Sequence, residues 1–209
     1  MIVDEYLEQL QEGWKTWAGI AAALALLIGY DTIKYKQAKK IVEKHRKEID
    51  AQIQRAQKQA VPKLLAIGKN LYRVLNTKYK EYVRHWPKWS VDEMKKWNSP
   101  EYYTEKLNSN LNHMALRMAR MKRGANYSAF YFNSPPADDV GDSLASDPQF
   151  DNDEPLDYTT ATGPKYRAWS KKYEEPALAE FRKANKMAEK ITMEYVNNIK
   201  KILAPYLRG

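Results

Sequence analysis

The chain has 209 residues, with 35 Lys and Arg against 26 Asp and Glu, a formal net charge of +9 and no cysteine, which excludes disulfides and thiolate chemistry. Eight glycines, 29 % charged residues and a mean hydropathy of -0.74 favour long polar helices over one large apolar core, so an extended, all-α protein is expected. The basic balance points to a partner rich in negative charge: nucleic acid, anionic lipid or an acidic protein surface.

Residues 2–12 place Ile2, Tyr6 and Leu10 on one helical face and acids on the other, a short amphipathic lead-in that Gly13 separates from an apolar segment. That segment, WKTWAGIAAALALLIGYDTIKY from Trp14 to Tyr35, is uncharged from Thr16 to Tyr30. As a helix it carries a stripe of Ala18, Ala22, Ala25 and Gly29 beside a larger-faced stripe of Ile20, Leu24 and Leu27. Small-residue stripes let helix backbones approach closely, so these four are the candidates for helix–helix contact. Trp14 and Trp17 at one end, and Tyr30 and Tyr35 at the other, are the candidate membrane-edge anchors. The uncharged run rises only about 22 Å, against roughly 30 Å of hydrocarbon in a bilayer. Three readings therefore stand: a helix buried in an assembly, a short span whose flanking lysines snorkel to the surface, or an interfacial helix. The leading flank is acidic (Asp4, Glu5, Glu8, Glu12), unlike the positive start of a signal peptide. The trailing flank is basic, and for a spanning segment this charge order places the remainder of the chain in the cytoplasm.

Lys34, Lys36, Lys39, Lys40, Lys44, Arg46 and Lys47 come directly after the apolar core. From Gln37 to Ala60 the pattern is helical, with a thin stripe of Ala38, Ile41, Val42, Ile49, Ile53, Ala56 and Ala60. So thin a stripe buries little, which favours packing against a neighbouring copy or another helix. Pro62 opens a second helix or kinks the first. Leu64, Ile67, Leu71, Val74, Leu75, Tyr79, Tyr82 and Trp86 make a much richer face, the best candidate for the folded core. HWPKW at 85–89 ends it, Ser90 to Glu93 matches a capping box for a short helix to Trp97, and Pro100 suits the first position of the next. That helix shows Tyr103, Leu107, Leu111, Met114, Met118 and Met121 at helical spacing, a pattern more often core than binding groove, with Arg117, Arg120, Lys122 and Arg123 alongside.

Residues 124–164 hold eight acids and no Lys or Arg, leaving +17 on the rest, and read as an acidic flexible loop without helical or strand period. Asp147, Asp151, Asp153 and Glu154 lack the glycine and spacing of an EF-hand, so a calcium loop is disfavoured; the loop lying over basic helices of its own or another copy is the third reading. After Gly163-Pro164, Tyr166, Trp169 and Tyr173 lead to Pro176 and a last helix that carries Ala177, Phe181, Ala184, Ala188, Ile191, Tyr195, Ile199 and Ile202 and ends near Pro205. Together these elements read as an antiparallel three- or four-helix bundle. The organisation expected is an apolar N-terminal helix (1–36), a basic helical region (37–123), the acidic irregular loop (124–164) and a C-terminal helix (165–209).

Motifs for catalysis are missing: no phosphate-cradling glycine loop, no GxSxG, no HExxH, and three histidines (His45, His85, His113) without zinc-type spacing. A non-enzymatic protein without cofactor, metal or small-molecule substrate is expected. The candidates for contact with nucleic acid or an anionic surface are Lys34, Lys36, Lys39, Lys40, Lys44, Arg46, Lys47, Arg117, Arg120, Lys122 and Arg123. The mixed basic and aromatic run from Tyr72 to Lys88 has a second reading as base-stacking surface, but a solvated face over a core is the more frequent use of such a pattern.

The apolar Ala/Ile/Leu/Gly segment followed by the helix KYKQAKKIVEKHRKEIDAQIQRAQKQA resembles the layout of the internal virion, or ejection, proteins of short-tailed bacteriophages over about the first sixty residues. The resemblance implies a structural component of the virion that leaves with the genome and forms an oligomer at the host cell membrane, its partners being other copies, other virion proteins, DNA and membrane. It carries no motif residues over, and the Trp- and Tyr-rich middle departs from it. The alternative is a membrane-anchored helical adaptor that binds nucleic acid or anionic lipid through its basic helices.

Overall fold

The computed structural model describes residues 32–121, 128–147 and 164–207. They are all-α, with no strand among them. Helix α1 covers residues 32–44, followed by α2 (Arg46–Lys78), α3 (Lys80–Arg84), α4 (Lys88–Lys96), α5 (Pro100–Met121), α6 (Ala137–Ala145), α7 (Pro164–Trp169) and α8 (Glu175–Leu207). One turn of π-helix, Ser170–Glu174, joins α7 to α8.

The frame is a three-helix bundle of α2, α5 and α8. Side-chain bonds give the directions. Arg46 of α2 donates to Asn112 of α5 at 2.7 Å, and Gln57, three turns on, donates to the carbonyl of Thr104 at 3.4 Å, so α5 runs antiparallel to α2. Gln52 meets Asn198 at 3.1 Å and Arg55 meets Glu194 at 2.8 Å, so α8 is antiparallel to α2 as well. At 33 residues each, α2 and α8 are about 50 Å long. The core between them includes Ile49, Ile53, Leu64, Leu71 and Leu75 of α2, Leu107, Leu111 and Met118 of α5, and Phe181, Tyr195, Val196 and Ile199 of α8.

The thin alanine and isoleucine stripe, expected to pack against a neighbouring copy or another helix, is buried within the chain: Ile49, Ile53, Ala56 and Ala60 are all covered. Ala177, Ala184 and Ala188 of α8 are buried too, and small side chains on both helices let their axes approach closely. Pro62 neither opens nor divides a helix. Its ring is exposed, and the turns around it are held by the buried Ala60, Val61 and Leu64, so tertiary burial outweighs one lost backbone bond. Helix α8 ends at Leu207, near Pro205 as expected, with the proline inside its last turn.

The capping-box expectation at Ser90 is corrected. Pro87, with extended backbone, occupies the cap position, and its carbonyl accepts the N–H groups of Ser90 at 3.0 Å and Val91 at 3.2 Å, so α4 starts at Lys88. Ser90 is left inside the helix with its hydroxyl buried. Pro100 does open α5 as expected.

The acidic span is not irregular throughout. Phe130 and Phe132 are buried while Tyr131 between them is 54 % exposed, the period of an extended strand, although no strand pairs with it. Side-chain amides satisfy its backbone instead. Asn110 donates to the carbonyl of Ala129 at 2.8 Å, and Asn185 both accepts from the Phe132 N–H at 2.6 Å and donates to its carbonyl at 3.0 Å. The two rings enter an aromatic nest, Phe130 lying 5.2 Å from Tyr103, and Phe132 5.3 Å from Trp97, which in turn meets Phe181 at 5.8 Å. Helix α6 then buries Val140 and Leu144 and turns Asp138 and Asp142 outward. In the sequence, the aromatic pair and this short amphipathic period are outweighed by the surrounding acids.

Candidate anionic-surface interface

Because α2 is antiparallel to α5 and α8, the start of α2 and the ends of the other two helices share one end of the bundle. Helix α1 continues past that end and packs on it through Ala38 and Val42, both buried. His45, at the junction of α1 and α2, lies 3.3 Å from the Tyr206 hydroxyl and edge-on to its ring at 5.5 Å, while the Lys44 ammonium stands 5.8 Å over that ring.

The sequence loads this end with positive charge. Residues 32–50, 113–121 and 197–207 hold eleven Lys and Arg and three acids. Those acids, Glu43, Glu48 and Asp50, are drawn to their helical neighbours: Glu48 to His45 at 2.8 Å, Glu43 and Asp50 to Arg46 at 3.6 Å each. Arg120, in the closing turn of α5, also complements the negative end of that helix dipole.

Of the residues expected to meet an anionic surface, Lys36, Lys39, Lys40, Lys44, Lys47, Arg117 and Arg120 are exposed at this end. Lys34 is half-buried. Arg46 is half-buried and committed to Asn112, a structural use that its sequence position did not reveal. Lys122 and Arg123 lie outside the described residues, as do Ala18, Ala22, Ala25 and Gly29 and the anchors Trp14, Trp17 and Tyr30. Tyr35 is described and is 45 % exposed, next to Ile33 at 57 %, so two large apolar side chains face solvent where α1 begins. Lys200 and Lys201 complete the basic end, and sequence reasoning missed them. Their signal is the absence of any acid after Glu194, which acquires meaning only when α8 is known to finish beside α1. An open groove of about 430 Å³ lies beside them, lined by Asn197, Lys200, Lys201, Ala204 and Leu207.

The opposite end holds a buried polar cluster. His85, 3 % exposed, has Nδ1 3.5 Å from Ser143 Oγ of α6 and Nε2 3.5 and 3.6 Å from Glu81 and Asp147, without hydrogen-bond geometry to either carboxylate. Trp169 covers its ring edge-on at 5.5 Å, and Arg84 pairs with Asp147. Burial, and then the Arg84 charge, pull the imidazole below its ordinary value; Glu81 and Asp147 offset this in part. Asp147, a calcium ligand on the disfavoured reading, is thus a partner of Arg84. Nearby, the buried carboxylate of Glu174 accepts from Tyr166 at 2.9 Å and Ser170 at 2.6 Å. Burial raises the Tyr166 and Tyr82 phenols, joined at Tyr166 by the hydrogen bond to Glu174 and at Tyr82 by the Glu174 charge.

Serine, histidine and aspartate meet here, Ser143 from inside α6 and His85 from the end of α3. The arrangement serves to dock α6 on α3. Among the described residues, no group of three His, Asp or Glu side chains is placed to hold a metal ion, and no helix is long and apolar enough to cross a membrane. No family model matches the chain, and no curated protein or solved structure matches it.

Proposed function

We propose that the protein is a non-enzymatic structural component of a phage particle, an internal protein that leaves with the genome and assembles as an oligomer at the host membrane. The observation that supports this reading is the coincidence, at one end of the bundle, of the basic residues of three helices with the point where the apolar segment 16–30 joins α1. A stripe of small residues makes the helix contacts of the oligomer, and the bundle presents its charged end to a polyanion. The same coincidence fits the second reading, a membrane-anchored adaptor outside any virion.

Single-cysteine crosslinking of the full chain in detergent or vesicles tests the assembly step, since the chain has no native cysteine. Crosslinked oligomers at Ala18 and Ala22, and their loss when Ala25 is replaced by Leu, are the expected result. Crosslinks at Ile20 and Leu24 but not at Ala18 or Ala22 would place the contact on the other face and end this reading. Recovery of the chain in purified particles separates the virion reading from the adaptor.

A further inference from the structure

We propose that the basic end is a docking surface for an anionic lipid bilayer, on which the bundle stands end-on, with Lys201 of α8 and Arg120 of α5 joining Lys36, Lys39 and Lys40 of α1 in the headgroup layer. This rests on the reading that segment 16–30 meets a membrane, and adds the surface and lipid chemistry against which the folded part is held.

Three features favour lipid over nucleic acid. Ile33 and Tyr35 are exposed on the first turns of α1, where apolar bulk suits the headgroup boundary and has no use on a phosphate backbone. The eleven basic residues of this end form a collar around the tip of a bundle, whereas a single strand is best held by a long groove that tracks it. Beside the α8 lysines, the groove offers apolar side chains, Ala204 and Leu207, next to ammonium groups, a pairing that matches the glycerol region of a phospholipid more closely than a sugar.

The charge layout selects the end-on pose. Asp138, Asp139, Asp142 and Asp147 are carried by the segment docked on Arg84 and His85, beyond the far end of α2. With α2 about 50 Å long, those acids stand several Debye lengths, each about 8 Å, from a surface touched by α1. A bundle lying flat on that side would press them toward lipid of the same sign.

The test uses the full chain and vesicles of phosphatidylglycerol mixed with phosphatidylcholine, against phosphatidylcholine alone. Each basic residue near an anionic surface contributes a few-fold in affinity, so Lys201→Glu combined with Arg120→Glu should weaken binding to the anionic vesicles by roughly tenfold to a hundredfold. Lys171→Glu combined with Lys172→Glu, at the other end, should leave it unchanged. A polarity-sensitive dye on Lys201→Cys should shift on binding, and one on Lys171→Cys should not. Equal binding by both double variants overturns the lipid surface, a shift at both dyes overturns the end-on pose, and duplex DNA that depends on Lys201 where phosphatidylglycerol does not would make DNA the partner. Retention on phosphatidylcholine alone reports the apolar segment separately: its loss with the collar effect intact sinks the membrane-assembly reading and leaves this surface standing.

Discussion

The hydroxyl of Tyr103 passes directly over Gly68 to donate to the carbonyl of Trp97 at 2.8 Å. A Cβ at position 68 would stand 1.7 Å from that oxygen and 3.1 Å from the Trp97 carbonyl, so the single hydrogen atom of glycine is what lets α2, α5 and the end of α4 meet. Burial raises the Tyr103 phenol, which keeps it a donor throughout the ordinary pH range.

Replacing Gly68 with Ala is therefore expected to cost about 2–4 kcal/mol, combining overpacking with a displaced buried hydroxyl. Tyr103→Phe alone should cost about 1 kcal/mol. The double variant should be more stable than the sum of the two, because removing the hydroxyl makes room for the methyl group. Urea midpoints at unchanged slope measure all three, and simple additivity would show that the contact is relieved elsewhere.

Asn185 pairs both backbone groups of Phe132 and so fastens the 128–147 segment to α8. Asn185→Ala should cost about 2–3 kcal/mol by stranding a half-buried N–H and C=O. Asn185→Asp keeps an acceptor for the N–H and loses the donor to the carbonyl, so an intermediate loss is expected. Hydrogen exchange of the Phe132 amide should rise more in the alanine variant than anywhere in α2.

Acid should loosen the far end of the bundle before it affects the rest. The unfolded chain takes up a proton on His85 near the ordinary value of about 6.5, while the buried imidazole resists until lower pH, so stability is full above that value and falls as pH drops below it. At Glu93 burial is the largest single effect and pushes the carboxyl up, but the Tyr102 hydrogen bond, the Lys106 charge and the Lys106 and Lys96 hydrogen bonds together outweigh it and leave it lowered, so this group acts only below the ordinary carboxylate range. Denaturation curves at about pH 7 and about pH 5 isolate the histidine. His85→Gln should flatten the difference, and an unchanged slope in that variant would assign it to another group.

Ala56→Leu places three extra carbons in a fully buried site of α2 and should cost about 1–3 kcal/mol. Because the stripe is buried within one chain, the loss should not vary with protein concentration when measured on residues 32–209. A midpoint that climbs with concentration in the parent chain would instead mean that copies share this contact.

Periodicity by itself determined that the chain is all-α, where the rich core face of α2 lies, that the Met-spaced face of α5 is core, and that Pro100 starts a helix, because these depend on spacing within one element. It left open whether the thin stripe of α2 meets a neighbouring copy or another helix, since the burial of Ala56 and Ala60 depends on how closely another helix can approach. It also passed over the Phe130 and Phe132 pair, whose backbone partners, Asn110 and Asn185, are 19 and 53 residues away in sequence. The basic end is the clearest case of the difference. The lysines of α1 are visible as a run, but only an antiparallel α8 brings Lys200 and Lys201 beside them, and only an α5 that runs the same way adds Arg117 and Arg120. Charge acts through distance in space, so what a sequence holds as three separate basic stretches becomes one surface when helix direction is set by long-range packing.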